Sequence, residues 1–188
     1  LIARWKELRD HYENPVLYFA SVKDNAEDFG NVEYLRDTAM QAGFTTRQIA
    51  VEDIGWHDTH ENFVDLDNNK IPALFKLYPW EWIADEEFGA HLPKATFPVI
   101  EPPWKVLMSS KAILPVLWKL NPGHPNLLPC FYELAQAPAQ YVRKPVYSRE
   151  GANVEMHTLR GTISQPGTYG AEGYVYQAYT PLPDFNGN

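Results

Sequence analysis

Val16-Leu17-Tyr18-Phe19-Ala20 is an unbroken apolar run, set off from what precedes it by Asn14-Pro15. Such a run suits a strand buried on both faces, as in a parallel sheet. Downstream, Val32, Leu35, Ala39 and Met40 mark one face of a helix that Gly43 closes, and Phe44 to Val51 reads as a second strand. Strand, helix and strand in this short compass make a βαβ unit, so the first part of the chain reads as α/β with a parallel sheet. Ser21 to Gly30, between the strand and the helix, is polar and acidic and reads as a loop. Gly30 is its only glycine, so the dinucleotide fingerprint is absent and a nicotinamide cofactor is not expected. Upstream, Leu1, Trp5, Leu8 and Tyr12 fall on one helical face.

The whole chain sets bounds on this reading. Its 188 residues, 45% hydrophobic and 14% aromatic, are enough for a substantial core. A formal net charge of −8 argues against a general nucleic-acid surface, which needs a basic face. Cys130 is the single cysteine, which excludes a disulfide framework and a cysteine zinc site. No apolar run reaches the roughly 18 residues of a membrane span, and no secretory leader is evident, so a cytoplasmic location is the default. The chain starts without Met and ends at Phe185-Asn186-Gly187-Asn188, just past a strand-like run, so a fragment of a longer protein is expected.

Further along, His57-Asp58-Thr59-His60 could be a metal pair or plain loop polarity, and its spacing is not that of a helical zinc pair. Phe63 to Leu66 and Ile71 to Tyr78, joined by Asp67-Asn68-Asn69-Lys70, read as a hairpin. Pro79 opens a short helix whose Trp80 and Trp82 are either a core cluster or a ligand platform. Residues 88–105 read as loop. Ser109-Ser110-Lys111 then opens a helix through Ala112, Leu114, Leu117, Trp118 and Leu120, with a serine as N-cap. Lys111 in the first turn conflicts with the helix dipole, a conflict that a bound anion would relieve. Pro115 inside the pattern implies a kink or an early start. Asn121-Pro122-Gly123 ends that helix.

Tyr141-Val142-Arg143-Lys144-Pro145 is a short strand that delivers Lys144 and stops at a proline, which has no N–H for the ladder. Ser148, Arg149, Glu150, Gly151, Ala152 and Asn153 follow before a second run, Val154 to Thr158. Two readings stand: a plain β-hairpin with an exposed lysine, or a cradle in which loop amides and a lysine hold a polyphosphate. Gly161 to Gly173 reads as a loop, and Tyr174 to Tyr179 as an alternating aromatic strand. That strand is either an ordinary edge strand or a wall whose end, with Gln177, faces a planar ring.

Four blocks raise a family resemblance. They are Phe75-Lys76-Leu77-Tyr78-Pro79-Trp80-Glu81-Trp82, Glu101-Pro102-Pro103-Trp104-Lys105, Ser110-Lys111-Ala112-Ile113-Leu114-Pro115-Val116-Leu117-Trp118, and Lys144 to Val154. With Pro122-Gly123-His124-Pro125-Asn126-Leu127-Leu128-Pro129 between the last two, the chain resembles the glutathionylspermidine synthase family of ATP-grasp ligases. The resemblance implies an α/β (α+β) protein: a partial ATP-grasp fold over residues 101–188, preceded by a βαβ, pre-ATP-grasp-like and substrate-side part over residues 1–100. It implies an ATP-dependent carboxylate–amine ligase that works through an acylphosphate, with ATP and Mg2+ as cofactors. Glutathione-like acids and polyamine-like amines are the implied substrates.

By motif, Lys111 and Lys144 resemble the two lysines on the ATP phosphates. Ser148, Arg149, Glu150, Gly151, Ala152 and Asn153 resemble the loop that closes over them. Gln177, Ala178, Tyr179 and Thr180 resemble the hinge beside adenine. The family's metal-binding Glu-x-Asn and its Arg-x-Asp have no counterpart in matching context, so both are expected upstream of Leu1, and a last ATP-grasp segment is expected beyond Asn188. A catalytically silent nucleotide- or peptide-binding module is the alternative function.

Overall fold

The Val16 run forms β1 (Val16–Ser21), and its alternation decides how the surrounding chain is layered. A computed structural model describes residues 1–94 and 97–183. The four-residue end from Phe185 lies outside the described residues. Contacts divide the chain into two units, Leu1–Val106 and Leu107–Asn188.

In the first unit, α1 (Ile2–Arg9) precedes β1, and α2 (Ala26–Gln41) connects it to β2 (Thr45–Ala50). β3 (Gly55–His57), β4 (Asn62–Val64), β5 (Leu74–Lys76), α3 (Trp80–Ile83) and β6 (Val99–Ile100) follow. The parallel sheet runs β2-β1-β5-β6, so β1 is internal and buried on both sides. Successive side chains of a strand face opposite ways. Leu17 and Phe19 therefore enter one core with Trp5 from α1, Val32 and Ala39 from α2, and Phe44 just before β2. Tyr18 and Ala20 enter the other with Ile49, Phe63, Ile71, Leu74 and Phe88. Trp5 locks the first core: its indole N–H donates to Thr38 Oγ1 at 3.0 Å, and its ring meets Phe19 and Phe44 edge-on.

Several sequence expectations need correction. Ser21 to Gly30 is only half loop, because α2 already begins at Ala26. The Asn25 side chain accepts from the N–H groups of Glu27 and Asp28 at 3.1 and 3.0 Å. Glu27 and Asp28 suit the positive end of a helix but leave no apolar period to read. The hairpin expected between residues 63 and 78 is divided differently. β4 pairs with β3, and Trp56 lies opposite Phe63. The Asp65–Asn69 turn does return the chain, with Asp65 Oδ1 accepting from the N–H groups of Asp67 and Asn69. Beyond the Val64–Lys70 bridge and an Ile71 N–H bond to the Phe63 carbonyl, however, the chain departs to pair β5 with β1 in parallel. Trp80 packs against the second core, whereas Trp82 stays partly exposed against Tyr78. The stretch 88–105 holds 3-10 turns and β6, a two-residue strand too short to show periodicity.

In the second unit, α4 (Val106–Ser109), which starts at the division, leads to α5 (Ile113–Leu120). The strands are β7 (Cys130–Phe131), β8 (Tyr141–Pro145), β9 (Glu155–Thr158), β10 (Gly161–Ser164) and β11 (Tyr174–Ala178). They form one antiparallel sheet in the order β10-β9-β8-β11-β7. Two corrections follow. β11 is internal, between β8 and β7, so it is no edge strand. The expected loop 161–173 contains β10, whose side chains are exposed throughout and so carry no alternation of burial. Among the described residues no helix is long and apolar enough to cross a membrane.

Replacing Asn25 with Ala is expected to cost about 1 kcal/mol, the usual loss for an N-cap, while Asn25→Asp stays near wild type. Urea denaturation followed by far-UV circular dichroism measures both.

Candidate functional site

Lys144 takes its place from strand register. It lies opposite Val175 on β11, and Gln177 is two residues further along the same strand. Residues directly opposite, and those two positions away, share a sheet face. Lys144, Val175, Gln177 and Val142 therefore lie on one face, together with Cys130, which β7 sets opposite Gln177. Val175 is fully buried, so the lysine stem runs beside dry core. The ammonium donates to Gln177 Oε1 at 2.6 Å. Burial holds the Lys144 ammonium below the ordinary lysine value, because the charged form loses hydration. The same burial pushes the neighbouring Cys130 thiol up to about 11.

Lys111 does not lie in the first turn of a helix. Ala112 is the N-cap of α5, so Lys111 precedes the helix and the conflict with its dipole does not arise. Ser110 Oγ accepts from the Ala112 N–H at 3.2 Å. Pro115 falls in the opening turn of α5, where its missing N–H is harmless, so the helix starts late and the proline is tolerated. Lys111 is tied to the other segment twice. Its N–H donates to the Val146 carbonyl, and its ammonium donates to Ser148 O at 2.7 Å and Ser148 Oγ at 2.9 Å.

The loop from Ser148 to Asn153 spans a true β8–β9 hairpin, in which Arg143 lies opposite Glu155. Its shape comes from left-handed residues: Glu150 at φ 53, Gly151 at φ 76 and Asn153 at φ 54. Non-glycine residues rarely adopt this region, so the backbone turns sharply here. Turn bonds from the N–H groups of Ala152 and Val154 to the carbonyls of Arg149 and Gly151 hold the curve. At the far end, the Asn153 amide donates to the Tyr169 carbonyl and, at 3.1 Å, to Tyr174 Oη. Gly170 leaves room for that contact, because a Cβ there would collide with Tyr174 Oη, and Gly167 lets the chain pass close to the Asn153 backbone nitrogen, 2.6 Å from where its Cβ would sit.

The sequence-predicted residues thus gather as two pairs and a clamped loop. Lys111 is held by Ser148 and Lys144 by Gln177, while Arg149, Glu150, Gly151, Ala152 and Asn153 form the arch. Ala178 ends β11 and Tyr179 and Thr180 follow it. Their backbone is less open than the sequence implies: the Ala178 N–H donates to Pro129 O at 2.8 Å and the Tyr179 N–H to Gln140 O at 3.1 Å. Sequence reasoning missed Tyr169, Tyr174 and Gly167 as loop supports. The glycine spacing of Gly167-Thr168-Tyr169-Gly170 was the available signal. Among the described residues no group of three or more His, Cys, Asp or Glu could hold a metal ion. His57 instead accepts from the His60 N–H at 3.3 Å.

The first unit has a crevice of about 1020 Å³ bordered by Ser21, Lys23, Asp24, Arg47, Asp53 and Asp65. Ser21 ends β1 and Lys23 and Asp24 follow it, while Asp53 follows β2, the carboxyl end of an open α/β sheet where ligands bind. Both cations there are paired, Lys23 with Asp53 at 2.5 Å and Arg47 with Asp65 at 3.4 Å. Burial acts to raise Asp65, but donors from Asn69, Tyr18 and Asp67 outweigh it and hold the carboxyl below its usual value.

The glutathionylspermidine synthase pre-ATP-grasp family matches residues 1–188. The chain belongs to that family. A Haemophilus influenzae protein named "Putative acid--amine ligase" is 41% identical over all of this chain and half of its own length. The bifunctional glutathionylspermidine synthetase/amidase of Escherichia coli is 26% identical, again over the whole chain, but over 34% of its own length. The trypanothione synthetase of Crithidia fasciculata is 26% identical over 88% of the chain and 29% of its own length. The chain therefore spans half or less of these relatives. Membership fits the mixed α/β architecture, with its parallel and antiparallel sheets, as a partial ATP-grasp fold.

Lys144 yields a pH prediction with a definite sign. In the folded state its value is lowered, so between that value and the unfolded one, about 10.4, the unfolded chain holds the extra proton. Rising pH through this window favours the folded state. Relative to Lys144→Met, wild-type stability is expected to climb from neutral pH towards pH ~10, as read by urea midpoints across a pH series.

Proposed function

We propose that this chain supplies the substrate-side part and the first nucleotide-binding strands of an ATP-dependent carboxylate–amine ligase of glutathionylspermidine synthase type. The observation that carries the reading is the pairing of Lys111 and Lys144 with an arched loop and the end of β11, in a chain that the family matches from end to end. ATP would supply the phosphoryl group that turns the carboxylate into an acylphosphate; the amine nitrogen then attacks the acyl carbon, forming the amide as phosphate leaves. Phosphoryl transfer asks a protein mainly for charge neutralisation and positioning.

The residues present fit that demand. Lys111 enters as a cation already directed at Ser148, so the loop and the ammonium would meet the phosphates together. Lys144 presents a second cation, partly dry and therefore weakly screened. The arch of Ser148, Arg149, Glu150, Gly151, Ala152 and Asn153 would cover the phosphates and exclude the water that hydrolyses an acylphosphate. Gln177, Ala178, Tyr179 and Thr180 would border adenine, with Gln177 contributing its amide, since the N–H groups of Ala178 and Tyr179 are spent. No described cluster suits Mg2+, so no step is assigned to it through these residues. The crevice beside β1 and β2 is the site we assign to the acid or amine partner, glutathione-like and polyamine-like respectively. The acidic balance of the chain favours small-molecule substrates over nucleic acid, and among the described residues no helix is long and apolar enough to cross a membrane.

Two outcomes test the reading. In the full-length protein that carries this chain, Lys111→Met and Lys144→Met are each expected to weaken ATP binding about tenfold, the scale of one lost charged hydrogen bond, measured by titration calorimetry. The full-length protein is also expected to release ADP when given glutathione or a small peptide with a polyamine, whereas the 188-residue chain alone releases none. ATP binding with no ADP release for any acid–amine pair would favour a silent binding module.

A further inference from the structure

We propose that Gln177 is a positioning residue for Lys144, its carboxamide oxygen holding the ammonium in the direction and charge state that phosphate binding requires. The inference rests on Lys144 being the phosphate ligand described above. An ammonium has donors and no acceptor, so the bond at 2.6 Å must use the amide oxygen and leaves the amide N–H hydrogens for another partner. Among the described residues of this sheet face, no other comparable acceptor bonds the lysine. Val175 is apolar, and Cys130 carries a thiol pushed to about 11, so it stays a neutral, weak acceptor near physiological pH.

Two physical demands meet at this bond. A lysine stem has several rotatable bonds, and fixing it before the nucleotide arrives spares that entropy at the moment of binding. A partly buried ammonium also tends to lose its proton, and an oxygen that bonds the charged ammonium more strongly than the neutral amine opposes that loss. The choice of amide over carboxylate follows from the same task. Glutamate would hold the lysine more strongly but would cancel the charge that the phosphates need. A neutral oxygen positions the cation and leaves its charge available. Among the groups packed about Lys144, Gln177 on β11 is neutral, and Cys130 on β7 is the titratable group whose field acts on it.

The test uses two variants with opposite electrostatic effects. Lysine-side-chain NMR on the full chain reads the Lys144 titration directly, and titration calorimetry with a non-hydrolysable ATP analogue on the full-length protein, from pH ~7 to ~10, reads binding. Gln177→Leu is expected to lower the Lys144 pKa and weaken binding about tenfold, with the loss growing as pH rises. Gln177→Glu is expected to raise the Lys144 pKa and yet also weaken binding, because the added carboxylate faces the phosphates. A merely structural role for Gln177 would not move the Lys144 pKa in opposite directions. Unchanged Lys144 titration in both variants, or unchanged affinity in both, overturns the proposal. If Lys144→Met also binds normally, or the wild type binds no nucleotide, the phosphate reading itself fails and takes the proposal with it. A weakened Lys144→Met beside silent Gln177 variants overturns the proposal alone.

Discussion

A lysine ammonium withdrawn from water must find oxygen, and much of the local architecture answers that constraint. Lys76, at the end of β5, is buried; its ammonium donates to the Tyr78 carbonyl at 2.8 Å and lies 4.4 Å from the centre of the Trp80 ring. Lys111 spends its ammonium on Ser148, and Lys144 spends its own on Gln177. In each case the cation shapes its surroundings: the Tyr78-Pro79-Trp80 turn in the first unit, the arched loop and the end of β11 in the second. Removing one partner of such a pair leaves an unpaired buried charge, whose cost exceeds the modest net gain of the bond itself.

The loop after β8 is a plain structural element to which the proposed function gives a chemical use. Its sequence is compatible with a bare hairpin, and a hairpin is what forms: β8 and β9 pair in register through Arg143 and Glu155, and an ion pair at 2.6 Å joins those two side chains. The proposed use comes from the residues between them. Left-handed geometry at Glu150, Gly151 and Asn153 folds the connection into an arch, and Asn153 fastens the arch to Tyr169 and Tyr174. The proposed cradle is therefore this same hairpin with an arched connection. The opposite face of the sheet is independently braced, with Tyr141 stacked on His157 at 4.5 Å and the Arg143 guanidinium over Tyr174. Such bracing lets the Lys144 face carry a lysine and an amide without losing the sheet.

Periodicity alone determined the parallel βαβ start. The unbroken Val16 run and the Val32–Ala39 face are short-range signals of burial, and burial is what drives them into a core. The resemblance in the blocks around Lys111 and Lys144 was likewise present in the residues themselves, as the family match over the whole chain bears out. Partner choice was decided only by tertiary structure. Leu74 to Lys76 could pair with β4 or with β1, and local sequence does not encode which, because a strand's register partner depends on a distant chain segment. The Lys144–Gln177 bond spans 33 residues and exists only because β8 and β11 pair in one register. A shift of one residue would send Lys144 to the other face. The types of side chain were written in the sequence, but their meeting depended on the long-range hydrogen-bond ladder that aligned them.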